Sequence, residues 1–357
     1  MKELYSRQLG FMLFLYILGS ALIFTPESII GQDLWVATIL GSLVGLLLLH
    51  ITVVIQGLYP GKDIMQIAEL TLGKILGKIF NLIFLWLLLI LAILLLFDAM
   101  VFLQIIYITT PEILLATLIM LASAFVIYPG IAVGGRLADL FILPVILLIA
   151  LGFVTSFTLF NYSNITPILA NIKPVLGAGL VSASWPFSEV IILAVFFPFV
   201  ADFDRNKKQI YIWYGLASIT LIIRSLLILG VLGYKGLELA RFPLYDVFRL
   251  IEYQDFQRLE LFFFLLFIMT LTAAILALHK VLILNLEHMF ALKNSRSLII
   301  PVGFLILALM YDSFPSDIEF LASQASSTIF LTLPPAILYI TVIFIAAKIK
   351  HRKSPHP

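Results

Sequence analysis

GAGLVSASWPFSEVIILAVFFPFVAD, running from Gly177 to Asp202, is the stretch whose reading decides the fold. It is long and apolar enough to cross a bilayer, for which about 20 apolar residues suffice. Its first half is nonetheless a poor helix. Ser182-Ala183-Ser184 leads into Trp185-Pro186, and Glu189 follows. Pro186 has no N–H and disfavours helical geometry at Trp185. Broken backbone survives in lipid only where protein or a water-filled cavity covers it. A broken span that also carries a carboxylate points to a small-ligand site near the bilayer midplane. The rest of the chain reads as housing for that break.

Composition sets the class. Of 357 residues, 62% are hydrophobic and 12% charged, and the mean hydropathy is +1.14. A soluble domain stands nearer half apolar and a quarter charged. Long apolar runs, rather than segments of about 10 alternating residues, point to membrane helices and away from a β-barrel. The net charge of +2 says nothing for nucleic acid, and none is expected; membrane lipid is the expected surrounding. The absence of cysteine excludes disulfides, thiolate metal sites and cysteine nucleophiles. No cofactor and no metal are expected. The first span begins within ten residues and no small-residue cleavage pattern follows, so no cleaved signal peptide is expected.

Hydropathy gives ten spans, at about 9–29, 33–58, 79–108, 111–129, 137–159, 177–201, 209–233, 260–290, 298–311 and 325–347. With the amino terminus inside, fifteen lysines and arginines fall in inner segments and five in outer ones. That asymmetry predicts cytoplasmic termini. Between spans, 60–78 places Ile64, Ile67, Leu70, Ile75 and Ile79 at near-helical spacing, which predicts an interfacial helix. On the outer side, 234–259 mixes charges with Phe242, Tyr245, Phe248 and Tyr253, which suggests a helix closing that face or a simple tether.

Ten spans divide into two sets of five. The first carries Gly19-Ser20-Ala21 and then Pro26 and Glu27; the sixth carries Ser182-Ala183-Ser184 and then Pro186 and Glu189. Equivalent interrupted segments in two halves are the mark of an inverted-repeat transporter fold. LGSALIFTPESIIGQDLWVA at 18–37 resembles the opening of the B subunits of spore nutrient-germinant receptors. So do Asp98, Thr110-Pro111-Glu112, and WPFSE with the FFPFV exit at 185–200. The resemblance covers essentially the whole chain. It implies membership of the amino acid–polyamine–organocation superfamily, and so an all-α membrane protein with a LeuT-like five-plus-five inverted repeat and discontinuous helices 1 and 6. The chain would be one transmembrane domain over 1–357, with repeats at about 9–159 and 177–347 and a basic tail at 348–357. It further implies recognition of a small germinant, typically an amino acid, beside A- and C-type subunits in the spore inner membrane. A stand-alone amino-acid permease and a purely structural anchor are the alternatives.

An amino-acid carboxylate needs N–H donors, which an interrupted helix supplies. Gly19, Ser20 and Ala21 offer such a backbone edge, unless the small residues serve only close helix packing. The ammonium needs carbonyls or an acid, and the unwound carbonyls of Val181, Ser182 and Ala183 fit that need, with Ser184 beside them and Trp185 or Phe187 as an apolar gate. Asp98, Glu189, Arg224 and Lys280 are charges within predicted spans, which usually have partners or a function. Depth suggests that Asp98 pairs with Arg224 and that Lys280 snorkels. Glu189 either serves ligand or proton, or satisfies backbone freed by Pro186. Thr270 and Thr272 are candidate hydroxyl ligands, although lone hydroxyls in membrane helices usually bond their own backbone. The fifth span has Thr155 and Ser156 and no lysine, which departs from the proton-coupled permeases of that superfamily. No HExxH, Walker-type loop or Ser/His/Asp pattern is present, and no enzyme activity is expected.

Overall fold

A computed structural model describes residues 3–104, 109–169, 172–251, 260–292, 295–313 and 317–353. Apart from one isolated bridge between Leu4 and Val200, the regular structure among them is helical. The α-helices are α1 (Ser6–Leu18), α2 (Leu34–Leu58), α3 (Ile64–Leu72), α4 (Lys74–Leu103), α5 (Glu112–Ile127), α6 (Ile131–Ser156) and α7 (Ile172–Ser184). After these come α8 (Phe203–Asn206), α9 (Lys208–Leu239), α10 (Pro243–Arg249), α11 (Glu260–Met289), α12 (Ile299–Ser313) and α13 (Asp317–Lys353).

Two spans are discontinuous, and both are central. The apolar run of α1 stops at Gly19, whose φ of −20° and ψ of −105° leave the helical region. The chain resumes as a 3₁₀ turn, Ser20–Leu22, and then a second 3₁₀ segment, Pro26–Asp33. The direction changes by 46° between Ser6–Leu18 and Ser20–Ser28. Pro26 starts the second segment with its fixed φ. Gly31, at φ +68°, turns the chain where the ring of Tyr234 leaves no room for a Cβ. The other broken span is α7, interrupted at Trp185-Pro186 and continued by a 3₁₀ segment, Phe187–Phe199. The apolar stretch of that span is 94% buried, against 33–61% for the seven other spans that are long and apolar enough to cross a membrane alone. Such burial places it at the bundle centre, where protein covers irregular backbone.

Close backbone approach makes this packing possible. Gly41 and Gly45 of α2 form a small-xxx-small face. A Cβ at Gly41 would meet Ser182, and one at Gly45 would meet Phe187, on either side of the break.

Among the described residues eight helices are long and apolar enough to cross a membrane, or nine if the bent pair around Gly19 is one span. Helix α5 is apolar but has 16 residues. The interfacial helix expected over 60–78 is shorter: α3 ends at Leu72, Gly73 turns at φ +87°, and Lys74 already belongs to α4. Ile75 and Ile79 therefore lie exposed on α4 rather than on an interfacial face. Helix α4 thus starts before the expected residue 79, and residues 105–108 of that span lie outside the described residues. Helix α9 kinks at Gly233, the predicted end of its span, and runs on to Leu239.

The expected closing segment at 234–259 contains the seven-residue α10; its residues 252–259, Tyr253 included, lie outside the described residues. Phe242, Leu244, Val247 and Phe248 are buried. Phe102 meets Phe242, Tyr245 and Phe267 edge-on, and Phe248 lies over Gly152 of α6. Aromatic packing of this kind fastens α10 across α6, α9 and α11.

Candidate functional site

The two breaks belong to neighbouring elements. The 3₁₀ segment after Pro186 packs on α1, and α11 packs on both α1 and the turn after it. At Gly19 an added Cβ would lie 3.0 Å from the Cβ of Ala274. The Gly19 N–H is taken up at the end of α1, donating to the carbonyls of Leu15 and Tyr16 at 3.0 and 3.1 Å. Ser20 and Ala21, which follow it, are both buried.

At the second break α7 stays helical through Ser184. The carbonyl of Val181 accepts from the Trp185 N–H at 3.1 Å and from the Ser184 hydroxyl at 2.7 Å. Pro186 has no N–H to return the helical bond of the Ser182 carbonyl. The Ser184 carbonyl accepts from the hydroxyls of Ser188 and Thr332. Ser182 and Ala183 are buried; the Ser182 hydroxyl lies against Gly41 and makes no hydrogen bond. Trp185 is buried as well.

One buried hydrogen bond joins the broken spans directly. The Tyr16 hydroxyl donates to Glu189 Oε2 at 2.6 Å. Asp98 of α4, also buried, lies near Glu189. Two buried carboxyl groups thus lie near the breaks.

Arg224 does not take Asp98 as its partner, contrary to the reading by depth. It pairs with Glu27 at 2.5 Å, and both side chains are essentially inaccessible. The same guanidinium donates through Nη1 to the carbonyls of Ala21 and Phe24. Glu27 lies inside the predicted first span, 9–29, beyond the 46° bend.

Thr270 lies in α11, but its hydroxyl donates to its own helix, to the carbonyls of Leu266 and Phe267, both at 3.1 Å. Thr272 is only half-buried. Lys280 lines a small apolar cavity with Met12, Ile131, Ala273 and Ala277. A second, wider cavity opens at Gln56, Pro60, Pro198 and Asp202. Neither is lined by residues 19–21 or 181–185.

The end of the bundle that carries the N terminus is tied shut. Leu4 N–H donates to the Phe199 carbonyl at 3.0 Å, and Ala201 N–H to the Leu4 carbonyl at 2.8 Å. Asp202 accepts the Ser6 N–H at 2.7 Å, and Asp139 accepts the Gln8 side-chain amide at 2.6 Å. Burial opposes the charge on Asp202, but the Asn206 amide and the Ser6 N–H outweigh it and hold the carboxyl below its usual range.

Residues 3–318 match the family model described as spore germination protein. The chain belongs to the spore germination protein family. It is 28% identical over 355 residues to "Spore germination protein KB" of Bacillus subtilis (strain 168), covering 97% of this chain and 95% of that one. It is 23% identical over 291 residues to "Spore germination protein YndE" of the same organism, covering 78% of each. Among solved structures, MhsT in complex with L-phenylalanine superposes with a TM-score of 0.62 at 16% identity, covering 97% of this chain and 100% of that one. The fold of this family member is therefore LeuT-like, and its apolar helices make it a multi-pass membrane protein.

Sequence reasoning singled out Glu189 as a candidate but not its hydrogen-bond partner. Tyr16 lies one turn before Gly19 and carries the only hydroxyl within Leu9–Leu18. A lone polar tip in a buried apolar run, next to a helix break, is the signal that would have found it.

Proposed function

We propose that this chain is the ligand-recognising membrane subunit of a spore germinant receptor, a B-type subunit that works with A- and C-type subunits in the spore inner membrane. In this reading it has ten transmembrane helices in a five-plus-five inverted repeat, about 9–159 and 177–347, with both termini cytoplasmic. The ligand is a small nutrient, an amino acid, held between the breaks of helices 1 and 6. Its carboxylate faces the backbone edge of Ser20 and Ala21, beside the helix end at Gly19. Its ammonium faces the side that holds Glu189 and Asp98. Val181, Ser182, Ala183, Ser184 and Trp185 form the opposite wall, with Thr272 at its margin.

The Tyr16–Glu189 hydrogen bond beside Asp98 carries this reading, because it sets an acidic group between two interrupted helices. Polar groups buried at such depth are costly and tend to serve a ligand or an ion. Full-length similarity to named spore germination proteins supports the biological setting.

The test is equilibrium binding of radiolabelled amino acids to the purified protein in proteoliposomes, with uptake measured in the same vesicles. Saturable binding without uptake is expected. Glu189→Gln should weaken binding by about tenfold, equivalent to about 1.4 kcal/mol. Energised uptake would instead make the chain a stand-alone permease, and absence of both binding and uptake would leave a structural anchor.

A further inference from the structure

Breaking helix 1 frees carbonyls that have no donor in lipid, and each must be satisfied by protein, water or a cation. At Ala21 and Phe24 the donor is one guanidinium. Arg224, which is 1% exposed on α9, sends Nη1 to both carbonyls. Its Nη2 reaches Glu27 Oε1 at 2.5 Å and the Ser225 hydroxyl at 3.3 Å. Ser225 in turn lies 2.9 Å from Thr38 of α2 and donates to the Leu221 carbonyl. One positive charge is thus enclosed by two carbonyls, a carboxylate and a hydroxyl. Such a set of hard oxygens is what an inorganic monovalent or divalent cation also seeks.

We infer that Arg224 is the resident cation of the helix 1 break, tethered to α9, and that the broken span needs no inorganic cation there. The guanidinium fixes the outward half of helix 1, Ser20–Ser28, against α9 and α2, because its fork meets several oxygens at once where an ammonium meets them from one point. The charge balance is closed by Glu27, so no second ion is required for neutrality. This inference concerns the scaffold of the break and holds whichever ligand the protein binds.

The purified protein in detergent should show the same thermal midpoint in sodium, potassium or choline chloride. A sodium-specific stabilisation of more than about 2 °C, roughly 1 kcal/mol for a domain of this size, would overturn the inference. Arg224→Ala strands Glu27 and opens a space lined by oxygens. Its midpoint should fall in choline chloride and recover when guanidinium chloride is added far below its denaturing range, while urea at equal concentration does nothing. The double variant Arg224→Ala with Glu27→Ala should lose less than the single variant, since no charge is left unpaired, and should ignore guanidinium. Equal losses in the single and double variants, or a single variant that guanidinium does not restore, would show that Arg224 acts by packing alone. Should Arg224→Ala not accumulate, the salt exchange on the wild type and a comparison of Arg224→Lys with Arg224→Met decide the matter: the lysine variant should keep the higher midpoint, and equal midpoints would count against the tethered cation.

Discussion

At the scale of single residues, Tyr16 and Glu189 form a buried side-chain hydrogen bond between the broken spans. Tyr16→Phe removes the donor and leaves a buried acceptor short of its partner, at a cost of about 1–3 kcal/mol. Glu189→Gln retains an acceptor for the same hydroxyl and should cost less. Thermal midpoints of both variants and of the double variant give the coupling; strictly additive losses would mean that the hydrogen bond contributes nothing. The acid at 189 was legible in sequence, because a carboxylate four residues past Ser182–Trp185 in an apolar run is unusual at any depth. The ion-pair partner of Arg224 was not. Counting along straight helices does not register the bend at Gly19, beyond which Glu27 meets Arg224.

At the scale of elements, the N-terminal strand-like segment closes one end of the bundle. Glu3 and Leu4 pair with Phe199–Ala201, and Asp202 accepts the first amide of α1. Because the folded carboxyl of Asp202 is held below its ordinary value, its contribution is present at pH above the unfolded value and is lost as pH falls through the folded one. The closure should therefore hold from neutrality down to about pH 4 and loosen only below that. Asp202→Ala should loosen it at neutral pH, raising thiol labelling of a cysteine placed at buried Leu4 by roughly fivefold, the equivalent of about 1 kcal/mol. Unchanged labelling at neutral pH would mean that the backbone bonds close this end alone. None of this was legible in sequence, since parallel pairing between residues about 195 apart leaves no local periodic trace. The break at Trp185-Pro186 was legible, as proline marks it directly. The short reach of α3 was not, because Ile64 through Ile79 keep a helical spacing across Gly73 and only its positive φ reveals the turn.

At the scale of the whole molecule, the number of crossings decides which connecting segments share a face of the membrane. Hydropathy predicts ten, whereas length and composition of the described helices give eight, or nine with the bent pair. The difference from nine to ten rests on α5, whose 16 mostly apolar residues reach about 24 Å at 1.5 Å per residue, short of a hydrocarbon core of about 30 Å. Local thinning and a short polar flank can accommodate such a span at modest cost, so α5 is expected to cross. Parity gives a direct measurement. With ten crossings, cysteines placed at exposed Glu3 and Arg352 label from the same face of the membrane, while cysteines at exposed Lys207 and Lys235, on either side of α9, label from opposite faces. Opposite-face labelling of Glu3 and Arg352 together with normal behaviour of the α9 pair would mean an odd number of crossings. In that outcome α5 is a re-entrant or interfacial helix, and the five-plus-five symmetry that equates the two broken spans fails with it.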